Sequence, residues 1–240
     1  MKNIAKLSAI VLLLAMTTSC FFDGVKGNRN VITEHRKISS DFDAIDVSQG
    51  IDVYLTIGDK VSLSLEADEN LHDIILTEVE DGTLHIYTDK NIWSAKARKV
   101  YLTARSITEI SATSGADVRS ENTIIAEDFK IRATSGSDVR LQLKVDNLTC
   151  NTTSGADARL KGKATSFNAK STSGSEIKAQ DLETETCSAK VTSGANISLN
   201  VTGSLNANAS SGGDIRYVGN PTKVQENSSS SGSIRNNRNS

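Results

Sequence analysis

A hydroxyl, a carboxylate and a basic side chain recur at fixed distances from a glycine through the second half of this chain. The phrase Thr113-Ser114-Gly115-Ala116-Asp117-Val118 returns from Thr134, Thr153, Thr172 and Thr192, with a looser copy from Ser210. Aligned on Gly115, Gly136, Gly155, Gly174, Gly194 and Gly212, the copies form files. Two residues before glycine stand Thr113, Thr134, Thr153, Thr172, Thr192 and Ser210. Two after stand Asp117, Asp138, Asp157, Glu176, Asn196 and Asp214, and four after come Arg119, Arg140, Arg159, Lys178, Ser198 and Arg216. Hydroxyls and carboxylates beside a turn are the groups of a calcium or saccharide site, so each file is a candidate binding surface.

The spacing says what must position them. The glycines are 21, 19, 19, 20 and 18 residues apart, the mark of a solenoid of stacked coils. The residues five before glycine (Ile110, Ile131, Cys150, Ala169, Ala189, Ala207) and three after (Val118, Val139, Ala158, Ile177, Ile197, Ile215) are apolar. Similar columns lie two residues further out on each side, the period at which strand side chains share a face, so they point inward. Glycine turns the chain because it takes positive φ without steric cost. Stacked carboxylates about 4.8 Å apart would repel along the rod. The basic file on the same face offsets this, and where Asn196 lacks the acid, Ser198 lacks the base. Such ladders also serve simply to pin register and keep the rod soluble. With Ser231 in the glycine place, Ile234 and Arg235 extend the inward column and the basic file.

Several chemistries are disfavoured. The arginines compete with calcium for the carboxylates, and the nonapeptide calcium repeat is absent, so no metal or other cofactor is expected. Charged residues such as Arg132, Lys170 and Lys190 beside the threonines break the flat hydroxyl face that ice binding needs. Polysaccharide-cleaving β-helices need loops that build a cleft, and coils of such even length predict none after residue 111. His35, His72 and His85 all lie in the first half.

That half is β-rich but less regular. Ser48-Gln49-Gly50-Ile51-Asp52-Val53 is a degenerate copy of the phrase, and Ile74–Val79, Asp81-Gly82 and Leu84–Tyr87 read as a hairpin. Lys2 and Lys6, the ten-residue stretch Leu7–Met16, and Thr17-Thr18-Ser19-Cys20 read as a secretion signal ending at a lipidated Cys20. Without Lys2 and Lys6 the chain carries 25 basic and 29 acidic residues, a net charge of −4 that gives no argument for nucleic acid. Cys150 and Cys187 fall in inward columns two coils, or about 10 Å, apart, which predicts buried free thiols. The expected organisation is a signal over 1–19, a tether over 20–30, an irregular β-rich part over 31–110, regular coils over 111–236 and a polar tail over 237–240.

The runs Phe42-Asp43-Ala44-Ile45-Asp46-Val47, Gly50-Ile51-Asp52-Val53-Tyr54-Leu55 and Glu66-Ala67-Asp68-Glu69-Asn70-Leu71 precede the Ser-Gly-x-Asp repeats. With the ending Gly213 to Pro221 they resemble the bacterial auto-transporter adhesin, head GIN domain family, common among exported lipoproteins of Bacteroidetes type. The resemblance covers residues 30–236. It implies an all-β, right-handed parallel β-helix with no established catalytic residues. The expected function is a non-catalytic cell-envelope lipoprotein, held by lipid on Cys20 to the outer membrane of a Gram-negative bacterium. Its expected partner is a glycan, another surface polymer or an envelope protein. A periplasmic scaffold or envelope sensor is the alternative, with a polysaccharide-acting enzyme behind it.

Overall fold

The computed structural model describes residues 24–237. The signal segment, Cys20 and residues 238–240 of the polar tail lie outside the described residues. Ten strands make up the first half: β1 (Val25–Lys26), β2 (Val31–Arg36), β3 (Ala44–Val47), β4 (Asp52–Ile57), β5 (Ser62–Asp68), β6 (Ile75–Glu80), β7 (Thr83–Thr88), β8 (Ile92–Ser94), β9 (Arg98–Ala104) and β10 (Glu109–Ala112). The regular coils follow as β11 (Asp117–Ala133), β12 (Asp138–Thr152), β13 (Asp157–Thr172), β14 (Glu176–Thr192), β15 (Asn196–Ala209), β16 (Asp214–Val218), β17 (Lys223–Ser228) and β18 (Ser233–Asn236). These coils pair in parallel, each on the one before, in a β-solenoid.

Each full coil is one long bent strand closed by one tight corner. At the corner both Ser and Gly are left-handed: Ser114, Ser135, Ser154, Ser173, Ser193 and Ser211 have φ of 52–56° and the glycines 70–74°. The N–H of Ala116 donates to the carbonyl of Thr113 at 3.1 Å. Two successive positive φ values with that bond mark a type I′ turn. Serine thus shares the torsional load that the sequence assigned to glycine alone. The gain is a second ladder. Each glycine N–H donates to the serine carbonyl of the following coil, from Gly115 to Ser135 at 3.1 Å through Gly212 to Ser230 at 3.2 Å. Ser231, in the glycine place, has φ of 62°. A different glycine works at the far bend: a Cβ on Gly162 would lie 2.0 Å from the Leu143 carbonyl.

The inward columns are buried as their period requires. Phe129, Leu148, Phe167, Cys187 and Leu205 stack on one wall and Val118, Val139, Ala158, Ile177, Ile197 and Ile215 on another. Each large side chain withdrawn from water contributes about 1.5–3 kcal/mol. Cys150 and Cys187 are free and buried, and burial pushes both thiols up to about 12.

The chain does not enter the rod in sequence order. β3 and β4, joined through left-handed Gln49 and Gly50, form a coil between that of β10–β11 and one made of β7 and β9. Antiparallel β6 and β5–β2 finish this end. The expected tether is shorter than read: Val25–Lys26 pair with β8, so the fold begins by Gly24. Buried Asp68 ties this segment down, accepting from the N–H groups of Arg29, Lys96 and Ala97 at 2.9, 2.9 and 3.1 Å. Burial alone would raise its pKa, but those three donors together outweigh it and hold the carboxyl below its ordinary value.

Two predictions follow from the corner and the core. A Cβ on Gly155 meets nothing within 4 Å, so Gly155→Val is penalised by its φ of 72° alone, at about 1–3 kcal/mol. Asp157→Asn loses only a long surface pair and costs less; equal shifts in urea midpoint would contradict the corner account. Both thiols should resist iodoacetamide at pH 8 in the folded protein and label fully, without reductant, once it is unfolded.

Candidate binding surface

The register carries the predicted files as straight ladders. Asp52, Asp117, Asp138, Asp157, Glu176, Asn196 and Asp214 are successive partners, as are Tyr54, Arg119, Arg140, Arg159, Lys178, Ser198 and Arg216. Acid and base two residues apart pair on each strand: Asp138–Arg140 at 2.6 Å, Glu176–Lys178 at 2.8 Å, Asp214–Arg216 at 2.9 Å, Asp157–Arg159 at 3.6 Å and Asp117–Arg119 at 3.7 Å. Arg159 also crosses to Asp138 at 2.9 Å. A guanidinium has five N–H donors, so these pairs leave donors free on side chains that stay 37–50% exposed. Thr113, Thr134, Thr153, Thr172 and Thr192 are half-buried at the corner, each Oγ1 3.4–3.5 Å from the next serine Oγ.

A groove of about 430 Å³ runs along the basic file across four coils. Arg119, Arg140, Arg159 and Lys178 form one side; Glu121, Gln142, Lys161, Gln180 and Asp181 add polar groups, with Leu141 and Leu160 buried in the floor. Five of these side chains are cationic and two are carboxylates. The even coil lengths had predicted no cleft wall, and here the expectation is corrected. Ladder pairing slips between Arg119 and Thr123 and again between Ala179 and Glu183, so the two longer coils bulge on either side of two 19-residue ones. The signal was present in the 21- and 20-residue steps, although Gln142, Lys161, Gln180 and Asp181 were not singled out. Neither the threonine nor the acidic file lines the groove.

The basic file continues toward the N-terminal end as aromatics. Tyr54 precedes Arg119 and stacks on Tyr101, ring centres 5.1 Å apart and planes 20° apart. Glu66 accepts from Lys99 Nζ at 2.9 Å and from the Tyr101 hydroxyl at 3.3 Å. The three histidines do not converge: His35 meets Ser64, buried His72 meets Glu34 and the Ala67 carbonyl, and His85 faces Asp46.

A family model described as "Putative auto-transporter adhesin, head GIN domain" matches residues 41–221. The chain belongs to this family. Among solved structures, a "putative adhesin" from Bacteroides fragilis is 25% identical, with a TM-score of 0.82 over 89% of this chain and 100% of that one. A "putative lipid binding protein" from Parabacteroides distasonis is also 25% identical, with a TM-score of 0.75 over 89% and 99%. A "putative adhesin" from Parabacteroides merdae, at 23% identity and a TM-score of 0.74 over 89% and 99%, shares the fold. No curated protein matches the chain. Among the described residues no helix of this head GIN domain is long and apolar enough to cross a membrane.

The acidic ladder of the domain carries strain that its bases do not fully relieve. Among the described residues, Asp138 Oδ1 is buried without a hydrogen-bond partner. Asp117 lies above the ordinary aspartate range, first because burial disfavours its charge, then because Asp138 and Asp52 repel it; Arg119 and Arg140 oppose the shift. The folded state therefore holds the Asp117 proton to higher pH than the unfolded chain does. Stability from this group is present below the unfolded value and declines as pH rises through the folded one. Asp117→Asn is expected to raise the urea midpoint at pH 7 and to raise it less at pH 3; a loss of stability at pH 7 would show that the Arg119 pair dominates.

Proposed function

We propose that this domain is a non-catalytic, adhesin-type module of the cell envelope that binds a repetitive anionic surface polymer, such as an acidic glycan, along the groove from Arg119 to Lys178. One observation carries the reading: a row of basic side chains repeats at the coil spacing along one groove, with donors left over after internal pairing. Because the acidic ladder neutralises much of the field, each contact is weak, and affinity comes from engaging several coils at once. A polymer with a charge on every unit suits that surface better than a small molecule does.

Catalysis fits the groove poorly. Its two carboxylates, Glu121 and Asp181, are three coil steps or about 14 Å apart, beyond the roughly 6.5–9.5 Å of a hydrolytic acid–base pair. Carriage of a lipid inside the rod, which the name of the Parabacteroides distasonis relative brings to mind, is opposed by a core filled from Ile45 to Ile215. The reading includes export and a lipid on Cys20 that holds the domain on the outer membrane.

Polygalacturonate and neutral dextran are suitable probes. The domain is expected to bind polygalacturonate and not dextran, and affinity should fall with added salt. Arg140→Gln with Arg159→Gln is expected to weaken binding by roughly tenfold or more, from the loss of charge-assisted bonds, with circular dichroism checking that the fold survives. Unchanged affinity in the folded double variant would overturn the assignment of the groove.

A further inference from the structure

The terminal coil breaks the corner rule. Elsewhere three or four residues join the strands at the corner, as Ser48 to Ile51 do between β3 and β4. Between Ile86, the partner of Val47, and Lys99, the partner of Asp52, the chain instead runs through residues 87–98. This enlarged corner covers the Gln49-Gly50 turn: Gln49 accepts from the Thr88 N–H at 2.6 Å, and Arg98 donates to the Gln49 carbonyl at 3.3 Å. It carries β8, which among the described residues pairs only with β1, apart from the main sheet. At its tip is Trp93, the one tryptophan of the chain, 73% exposed.

The same platform receives the start of the described chain. The N–H of Val25 donates to the Asn91 carbonyl and that of Gly27 to Ser94, each at 2.8 Å. A Cβ on Gly24 would lie 3.3 Å from the Cβ of Trp93. Asp68 clamps both segments through the backbone of Arg29, Lys96 and Ala97, so the platform is fixed to the rod. Lys26, Lys90 and Lys96 are exposed around it, and the exposed acids nearby are Asp89 and Glu69, the latter accepting from the Asn28 and Asn30 side chains. Four residue steps separate Gly24 from Cys20, a reach of at most about 14 Å.

We propose that this enlarged corner is a membrane-docking surface: Trp93 enters the headgroup region of the bilayer and Lys26, Lys90 and Lys96 contact anionic lipid. The proposal rests on the reading that Cys20 is lipidated. With the anchor that close, Trp93 cannot stand far from the headgroups, and an indole on a basic rim is suited to that interface. Docking holds the rod by its β7–β9 end. The open coil of β17–β18, about 38 Å away at eight strand spacings, then points outward with the groove between.

The sole tryptophan makes the test direct. The full chain is produced through its own signal in a Gram-negative host, Cys20 is checked by mass spectrometry, and the protein is placed in vesicles of phosphatidylethanolamine and phosphatidylglycerol with or without bromolipid. The expected result is a blue-shifted Trp93 emission that bromolipid quenches. A Trp93→Phe, Val224→Trp variant, with its reporter at the far end, should show neither effect. Lys90→Gln with Lys96→Gln should weaken vesicle binding of a Cys20→Ser chain by roughly fivefold per lysine. Lipidated protein whose Trp93 emits as in buffer and escapes quenching would overturn docking and leave the anchor standing, and equal quenching of both reporters would overturn end-on orientation. A mass showing no lipid on Cys20 would remove the anchor and the docking proposal with it.

Discussion

Left-handed backbone at two successive residues is the constraint on which this rod depends. An L-residue disfavours that region, and the fold nevertheless demands it of a serine and a glycine at every full coil. The demand is met because the turn exposes a glycine N–H and a serine carbonyl that neighbouring coils exchange. A corner that is costly alone becomes favourable in a stack, since each copy satisfies the polar groups of the next. The buried hydroxyls inside the corner work to the same end: Thr152 donates to Ser171, Ser171 to the Ser175 carbonyl and Ser175 to the Thr172 carbonyl.

Holding one corner constant has a consequence for the surface. The coils that keep this corner differ along the bent strand, where the 21- and 20-residue coils bulge. Those bulges leave the inward columns intact while lifting the walls of the groove beside the basic file. The acidic ladder lies one side-chain period away and sets the strength of what the groove can bind. It keeps five cations from repelling one another along the rod, and it reduces the field that a ligand meets at a distance. A surface of this kind reads pattern and length more than charge alone.

Much of this was legible in the sequence because the information repeats. A glycine at each corner, apolar residues at period two and matched Asp–Arg offsets are local signals that six copies amplify, and the Asp81-Gly82 hairpin is a local signal too. What stayed hidden depends on contacts between distant segments. Nothing near Tyr54 in the sequence says that its neighbours are Arg119 on one side and Tyr101 on the other. In the sequence Asp68 is one acid among three in the run Glu66 to Leu71, and only the meeting of three chain segments makes it a clamp. The left-handed serine was hidden for another reason: serine has no backbone preference that marks it, and the stacking bond that justifies its φ is made by another coil.

The central claim is that function lies in the repetition of this surface and in no single copy. Affinity for oligogalacturonates of increasing length, measured by calorimetry on the folded domain, tests it most directly. The account predicts that affinity climbs with each added unit until the oligomer spans the four coils from Arg119 to Lys178, about 14 Å, and then levels off. A monomer or dimer that binds as tightly as the long oligomers would place the site in one coil and contradict the claim.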